Sequence, residues 1–412
     1  MKKIKECLKT LAKDVVLKGY YPALYRRLSR RPVEKKVVLL EVRRERLSEN
    51  FETIYPELRR GRGWKVRVCC IQEGVADRLT VIRNCRRAIR EISTASVVLM
   101  NDTCYMIGAL PLRPETKVIQ LWHACGAFKR VGYSTADAGF GRGTKELEKY
   151  GLYRNISKVA VSSPGVRWAY AEAFDMKDRP EDVVAAGVAR TDLFYSRKRV
   201  KKAYERLHSV LPELSGSRRI VLYAPTFRGQ SGQAFSPEEL DLVQLKRQLG
   251  ERCCLLIKHH PLVKKRPPIP AECSGFAFDV SDRMDITDLL MTADICITDY
   301  SSVIFEYSLL NRPIILFAPD LEAYYDERGF YYPFDQIAPG PVAKTTEELG
   351  RYVENIEEYF DPDALEDFRI RFMSACDGHA TRRVLELMEE LWVKYSACSA
   401  RAPQEKTPST NS

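Results

Sequence analysis

Few residues in this chain combine a useful chemistry with a position that lets them use it. The densest group lies in 294–307, DICITDYSSVIFEY. Ile295, Cys296 and Ile297 form a short apolar run suited to a buried parallel strand. Thr298, Asp299 and Tyr300 make the turn, and Ser301 and Ser302 stand where a helix N-cap belongs. Val303, Ile304, Tyr307 and Leu310 follow at helical spacing. A helix that opens at the carboxyl end of a buried strand presents free N–H groups and the positive end of its dipole, which suits phosphate. The two serine hydroxyls add donors, although capping alone would also account for them. Glu306 lies too far along to be a capping-box partner of either serine.

Other candidates stand at strand ends. The chain has five histidines: His123, His208, His259, His260 and His379. His123 ends VIQLWH and precedes the small residues Ala124, Cys125 and Gly126, where backbone can approach a ligand. His259 and His260 end LLIKHHP, and alternation predicts that Lys258 and His260 share a face while His259 points away. The exit from the strand beginning at Ile220 carries the Thr226 hydroxyl and the Arg228 guanidinium, a group shaped for bidentate phosphate binding. For each residue alone, a structural histidine or a surface charge is the competing reading. Several at successive strand ends weaken it. There is no GxGxxG, Walker loop, GxSxG, HExxH or spaced metal cluster, so hydride transfer, P-loop chemistry and zinc hydrolysis have no support; no cofactor and no metal-ligand set is expected, and the sequence leaves a metal requirement open.

These positions need a sheet to hold them. From Lys36, strand-like segments (KVVLLEV, KVRVCCI, SVVLMND, KVIQLWH, KVAVSS, DVVAAG) alternate with helical ones near 48–62, 75–94 and 164–175. The pattern restarts with IVLYAP, CCLLIKH, FAFDV, ICIT and PIILFAP, then helices near 346–360, 363–375 and 381–395. This is an α/β chain with mostly parallel sheets, and the charged segment 195–218 ends in the expected interdomain connection. At 412 residues and 45% apolar content, two globular domains fit. No apolar run reaches 18 residues and no signal peptide is legible, so neither a spanning helix nor export is expected. The twelve cysteines lack framework or metal spacing and read as reduced thiols.

Charge is uneven. Residues 1–31 hold ten Lys/Arg against Glu6 and Asp14, a net +8 of the total +11. Ile4, Leu8, Leu11 and Val15 recur at helical spacing, followed by Tyr20, Tyr21 and Tyr25. This predicts an interfacial helix on an anionic membrane surface through residues 1–32, with the tyrosines at headgroup depth. A helix packed on its own domain is the alternative. A nucleic-acid partner is not expected, because the rest of the chain is nearly neutral and has no recognition module.

Six segments together resemble the CDP-glycerol glycerophosphotransferase family, the teichoic acid primases and polymerases. They are LWHACGAFKRVG, GVARTD, LYAPTFR, LIKHHP, ITDYSSVIFEYSLLNRPIILFAPDLEAYYDERGFYYPFDQIAPGP and CDGHATRR, spread over 118–383 in the family's order. The resemblance implies a GT-B-like fold, two Rossmann-type domains facing a cleft. Its expected parts are a basic arm (1–34), an acceptor domain (35–210), a CDP-donor domain (211–376), a helix returning to the first domain (377–398) and a disordered tail (399–412). It implies transfer of glycerol phosphate from CDP-glycerol to a hydroxyl of an undecaprenyl-linked acceptor, with release of CMP, at the cytoplasmic face of the cell membrane by a peripheral protein. CDP-ribitol as donor, or a nucleotide-sugar glycosyltransferase, are the alternatives. By motif match His123 is the general base, and His260 stabilises the donor phosphates or the leaving CMP. Ser301 and Ser302 hold the pyrophosphate, with Thr226, Arg228, Lys258, Thr298, Asp299 and Arg328 around the donor and Glu306 on the ribose. The chain departs from the family's WHG motif, reading Trp122, His123, Ala124, Cys125, Gly126.

Overall fold

The structure is a computed structural model that describes residues 2–61, 63–138, 143–214, 218–229 and 232–401. The chain divides into two compact units. The first takes Met1–Trp122, Tyr150–Lys158 and the chain from Thr381, and the second takes His123–Lys149 and Val159–Ala380.

Each unit is built on parallel strands. In the first, β1 (Glu34–Glu41) pairs with β2 (Lys65–Cys70) and β3 (Ala95–Met100), and β3 pairs with β4 (Lys117–Gln120). β5 (Ile156–Ala160) starts in this unit and ends in the second, where it pairs with β6 (Val183–Val184). The second unit's sheet has the order β12-β11-β10-β7-β8-β9. Its strands are β7 (Arg219–Ala224), β8 (Cys253–Ile257), β9 (Ala277–Asp279), β10 (Ile295–Thr298), β11 (Ile314–Phe317) and β12 (Val342–Ala343). Central strands such as β8 and β10 are buried along their whole length, as sheets covered on both faces require. Eleven of these strands overlap the segments picked from the sequence. β12 does not.

Helices start where their caps predict. Asp77 accepts from the Leu79 and Thr80 amides at the head of Arg78–Ile92, and Ser196 accepts from Arg199 N–H at the head of Arg197–Val210. The helix from Ala380 packs within the first unit through Val384, Leu385, Leu387 and Met388, and its Trp392 meets Trp64 edge to face at 6.2 Å.

The N-terminal arm differs from the expectation in its second half. Helix Lys2–Asp14 runs through a π-helical turn, Val15–Tyr20, into helix Tyr21–Leu28. Leu17, Tyr21 and Tyr25 recur every fourth residue and are buried in the first unit's core. The Arg113 amide donates to Tyr25 Oη at 3.3 Å. Tyr21 and Tyr25 therefore do not sit at headgroup depth: the wider turn directs their faces onto the core. Leu8, Leu11 and Val15 remain about 60% exposed. The Ile4 side chain, and the tail from residue 402, fall outside the described residues.

Candidate active site

The site is built at the carboxyl ends of β7, β8 and β10. Thr298, the last residue of β10, donates from Oγ1 to the Ala224 carbonyl at 2.6 Å, joining the ends of two neighbouring strands. Asp299 is buried, and its Oδ1 accepts from the Thr226 and Tyr300 amides at 2.8 and 2.7 Å. Thr298 and Asp299 thus shape the turn from within. Thr226 Oγ1 is buried and has no hydrogen-bond partner, which leaves a donor for a ligand.

Arg228 differs most from its sequence reading. Its Nε and Nη2 donate to the Asp320 carboxylate at 2.6 and 3.0 Å, and Nη1 lies 3.0 Å from Asp299 Oδ2. The guanidinium also lies beside the stacked Tyr300 and Tyr324 rings, at 5.1 and 4.8 Å from their centroids. Burial alone would lower its pKa, but the bonds to Asp320 and Asp299 outweigh that and raise it. The fork expected on phosphate is therefore closed on two carboxylates. The reason is spatial: Asp320 lies far from Arg228 in sequence.

At the exit of β8 the strand ends at Ile257, so strand alternation does not extend through Lys258 to His260, and the two side chains meet different partners. Lys258 Nζ donates to the Ser281 and Met284 carbonyls, both at 2.6 Å, and burial lowers its pKa. His259 is buried, with Nδ1 2.8 Å from Ser236 Oγ. His260 lies against Phe227, ring centroids 4.8 Å apart, and its Nδ1 accepts from the Leu262 amide at 3.2 Å. An accepting Nδ1 leaves the proton on Nε2. Burial, with a smaller contribution from Lys129, pushes the His260 pKa down to about 4. At neutral pH it is a neutral donor through Nε2.

The loop that carries His123 meets these residues within the second unit. His123 is exposed, three residues beyond β4. Gly126 has φ +60°, its amide donates to Ser162 Oγ at 2.9 Å, and its carbonyl accepts from Tyr170 Oη at 2.9 Å. A Cβ at 126 would lie 2.3 Å from the Phe305 ring. Phe305 belongs to helix Val303–Ser308, which follows Ser301 and Ser302. The glycine placed three residues after the histidine is thus what lets the His123 loop pack on the serine helix. Ser302 is the N-cap of that helix but makes no capping bond through its side chain, and Ser301 Oγ accepts only a long 3.4 Å bond from Val303 N–H. Both hydroxyls are half-buried and only weakly engaged.

Glu306, on the same helix, is buried and ion-paired with Arg190. Beyond the histidine, Lys129 forms an antiparallel bridge with Phe330 and donates to Tyr324 Oη at 2.9 Å. Arg190 and Lys129 were not picked as site residues, although both stand in quoted motifs, GVARTD and LWHACGAFKRVG. Their signal was motif membership, and their partners lie more than a hundred residues away. The Arg328 side chain is outside the described residues. Among the described residues no group of His, Cys, Asp or Glu has metal-holding geometry, the cysteines are free thiols, and no helix is long and apolar enough to cross a membrane.

Comparison with known proteins identifies the family and the fold. Over 382 residues the chain is 35% identical to the teichoic acid ribitol-phosphate primase of Bacillus spizizenii, covering 90% of this chain and 96% of that protein. It is 31% identical to the teichoic acid glycerol-phosphate primase of Bacillus subtilis over 309 residues, 74% of this chain and 76% of the relative. The wall teichoic acid polymerase TagF superposes with a TM-score of 0.74 at 22% identity, over 95% of this chain and 99% of that one, which shows a shared GT-B-like fold. The family model described as CDP-glycerol:poly(glycerophosphate) glycerophosphotransferase matches residues 23–390, and the chain belongs to that family.

Proposed function

We propose that this protein transfers an alditol phosphate from a CDP-alditol to a hydroxyl of a lipid-linked teichoic-acid-type acceptor, releasing CMP. The observation that carries the reading is the packing of the His123 loop, through Gly126 and Phe305, onto the helix headed by Ser301 and Ser302. That packing puts a base-bearing loop and a phosphate-binding helix start in one rigid element. In the proposed reaction the acceptor oxygen attacks the β-phosphorus in line, its proton passes to His123, and the bond to CMP breaks. Neutral His260 donates from Nε2 to the donor phosphates, with Lys129 supplying the nearby positive charge. The Ser301, Ser302 and Thr226 hydroxyls complete the set of donors. Arg228, Thr298, Asp299 and Lys258 act by shaping the exits of β7, β8 and β10. The Arg190–Glu306 pair sits where the ribose is expected. Positioning and charge stabilisation account for most of phosphoryl-transfer catalysis. We assign the donor to residues 211–376 and the reacting hydroxyl of the acceptor to 35–210.

Ribitol is favoured over glycerol as the alditol. The ribitol-phosphate primase is matched at higher identity, and over more of both chains, than the glycerol-phosphate primase. The test is CMP release from CDP-ribitol, CDP-glycerol and UDP-sugars, with a glycerol-phosphate-primed lipid acceptor. CDP-ribitol is expected to turn over fastest, and His123→Ala to cost about two to four decades in rate. Turnover of UDP-sugars alone would replace the reading with a glycosyltransferase. Normal turnover by His123→Ala would remove the base assignment.

The arm supports attachment to an anionic membrane surface at the cytoplasmic face through its first half only, where Leu8, Leu11 and Val15 are exposed among lysines. A Leu8→Glu/Leu11→Glu protein is expected to lose co-sedimentation with vesicles containing phosphatidylglycerol, with stability changed by less than about 0.5 kcal/mol. Retained sedimentation would sink the idea.

A further inference from the structure

The second unit exposes an aromatic side chain that is nevertheless held in place. Trp168, on helix Arg167–Ala173, is 47% exposed. Its Nε1 donates to Tyr332 Oη at 2.9 Å, and that hydroxyl donates to the Gly165 carbonyl at 3.1 Å. Its ring meets those of Tyr331 and Tyr332 at 5.5 Å each, with interplanar angles of 89° and 81°. Exposed Arg371 places its guanidinium 4.7 Å from the centre of the Tyr332 ring. Exposed Arg130 is anchored by Nε to the Phe330 carbonyl at 3.2 Å. Glu172, the carboxylate that acts on Tyr331, lies 3.9 Å from Lys177 Nζ.

An exposed indole fixed by its own N–H loses little freedom when something stacks on it, so contact there is gained at low entropic cost. Flanking arginines select for an anionic occupant and match phosphate well. A chain of polyol units joined by phosphodiesters has both properties, C–H faces that pack on an aromatic plane and regularly spaced negative charge. We propose that Trp168, Tyr331 and Tyr332, with Arg371 and Arg130, form a binding surface for the alditol-phosphate portion of the acceptor. This rests on the function proposed above and names where that substrate lies.

The surface is mechanically joined to the candidate active site. Tyr170, two residues from Trp168 on the same helix, donates to the Ala124 and Gly126 carbonyls of the His123 loop at 3.4 and 2.9 Å. The Tyr331 amide donates to the Phe128 carbonyl at 2.9 Å, farther along the same loop. An acceptor chain held at Trp168 is therefore held by the elements that carry the proposed base.

The test is calorimetric titration of a short synthetic ribitol-phosphate oligomer into the wild-type protein and into Trp168→Ala, Trp168→Phe and Arg371→Gln, with inorganic phosphate and free ribitol as controls. The expected result is a Kd raised about tenfold or more in Trp168→Ala and Arg371→Gln, and within about threefold of wild type in Trp168→Phe. Thermal melts check folding, and Arg371→Gln, a change to an exposed side chain, keeps the test open if Trp168→Ala unfolds. The acceptor KM should rise in parallel while the KM for the CDP-alditol stays unchanged. No binding by wild type, equal binding by the variants, or equal binding of inorganic phosphate would overturn the proposal. The titration needs no turnover. Absence of CMP release would therefore count against the proposed function without deciding this site, and normal turnover with unaltered variant binding would count against this site alone.

Discussion

The polar groups at the carboxyl edges of the two sheets do the same job with different chemistry. In the first unit the work is done mainly by amides. Glu41, at the end of β1, accepts from the Ser48 amide at 2.6 Å and from Asn101 Nδ2 at 3.4 Å. Asn50 Nδ2 donates to Asn101 Oδ1 at 3.1 Å and to the Trp122 carbonyl at 2.8 Å, while Gln120 Oε1 accepts from the Trp122 amide at 2.9 Å. With its N–H and C=O both held, Trp122 keeps φ at +57°, an uncommon value for a bulky residue, immediately before His123. In the second unit the work is done by ions, with Arg228 clamped by Asp299 and Asp320 beside two stacked tyrosine rings. An amide network in which only Glu41 can ionise fixes a backbone shape without a cluster of full charges beside it. The ion cluster fixes a turn but uses its own cation, so it has little positive charge left to offer a phosphate. That difference explains why Lys129 and neutral hydroxyls carry the donor-binding role proposed here, and Arg228 does not.

The largest test of this contrast is Arg228→Met. Removing the guanidinium leaves two carboxylates near each other without a cation in a mostly buried site, and about 3–5 kcal/mol of stability should be lost. Equilibrium urea unfolding measures it. A loss below about 1 kcal/mol, together with a raised KM for the donor, would return Arg228 to a phosphate-binding role.

Asn50→Ala should cost less, about 1–3 kcal/mol, because a neutral bond to a buried carbonyl is lost and no ion is stranded. Its more telling effect is kinetic. A freed Trp122 backbone should lower kcat by roughly tenfold, the cost of a misplaced catalytic group, with the KM for the CDP-alditol unchanged. Unchanged kcat would show that the amide network serves the fold alone.

The smallest expected effect is in pH, where the two units should respond in opposite directions. Burial lowers the pKa of His260 to about 4 and also lowers that of His259. An imidazole that is less basic folded than unfolded takes up a proton on unfolding throughout the interval. The second unit should therefore lose stability as pH falls from about 6.5 towards 4. Glu41 has the opposite sign: burial raises its pKa, so its ionised form opposes folding, and that penalty is relieved as pH falls. Hydrogen exchange resolved by peptide should show second-unit amides losing protection first below pH 6.5, and His260→Gln should flatten that response. Equal loss in both units would count against the contrast.

Much of the fold was legible in the chain itself. A fully buried parallel strand reads as an unbroken apolar run and a helix start as a capping residue, and both signals are local. Hence β10, its turn and the helix at Val303 were found where expected. The first half of the arm was legible for the same reason, as an apolar stripe on a lysine-rich helix. Its second half was not, because tyrosines suit both a membrane interface and a core. Only the packing of Tyr21 and Tyr25 among core residues decides between them.

Residue types and strand-end positions were determined by sequence alone. It put His123, His260, Thr226, Ser301 and Ser302 at or just past the ends of strands, because hydrophobic periodicity locates those ends, and Glu306 on the helix that follows. Which of those groups are already engaged was decided only by tertiary structure. Arg228 meets Asp320 across 92 positions, and Glu306 meets Arg190 across 116. Gly126 is required by a ring, that of Phe305, which no local pattern connects to it. Charge pairing and close packing act through space, so a one-dimensional period carries no trace of them.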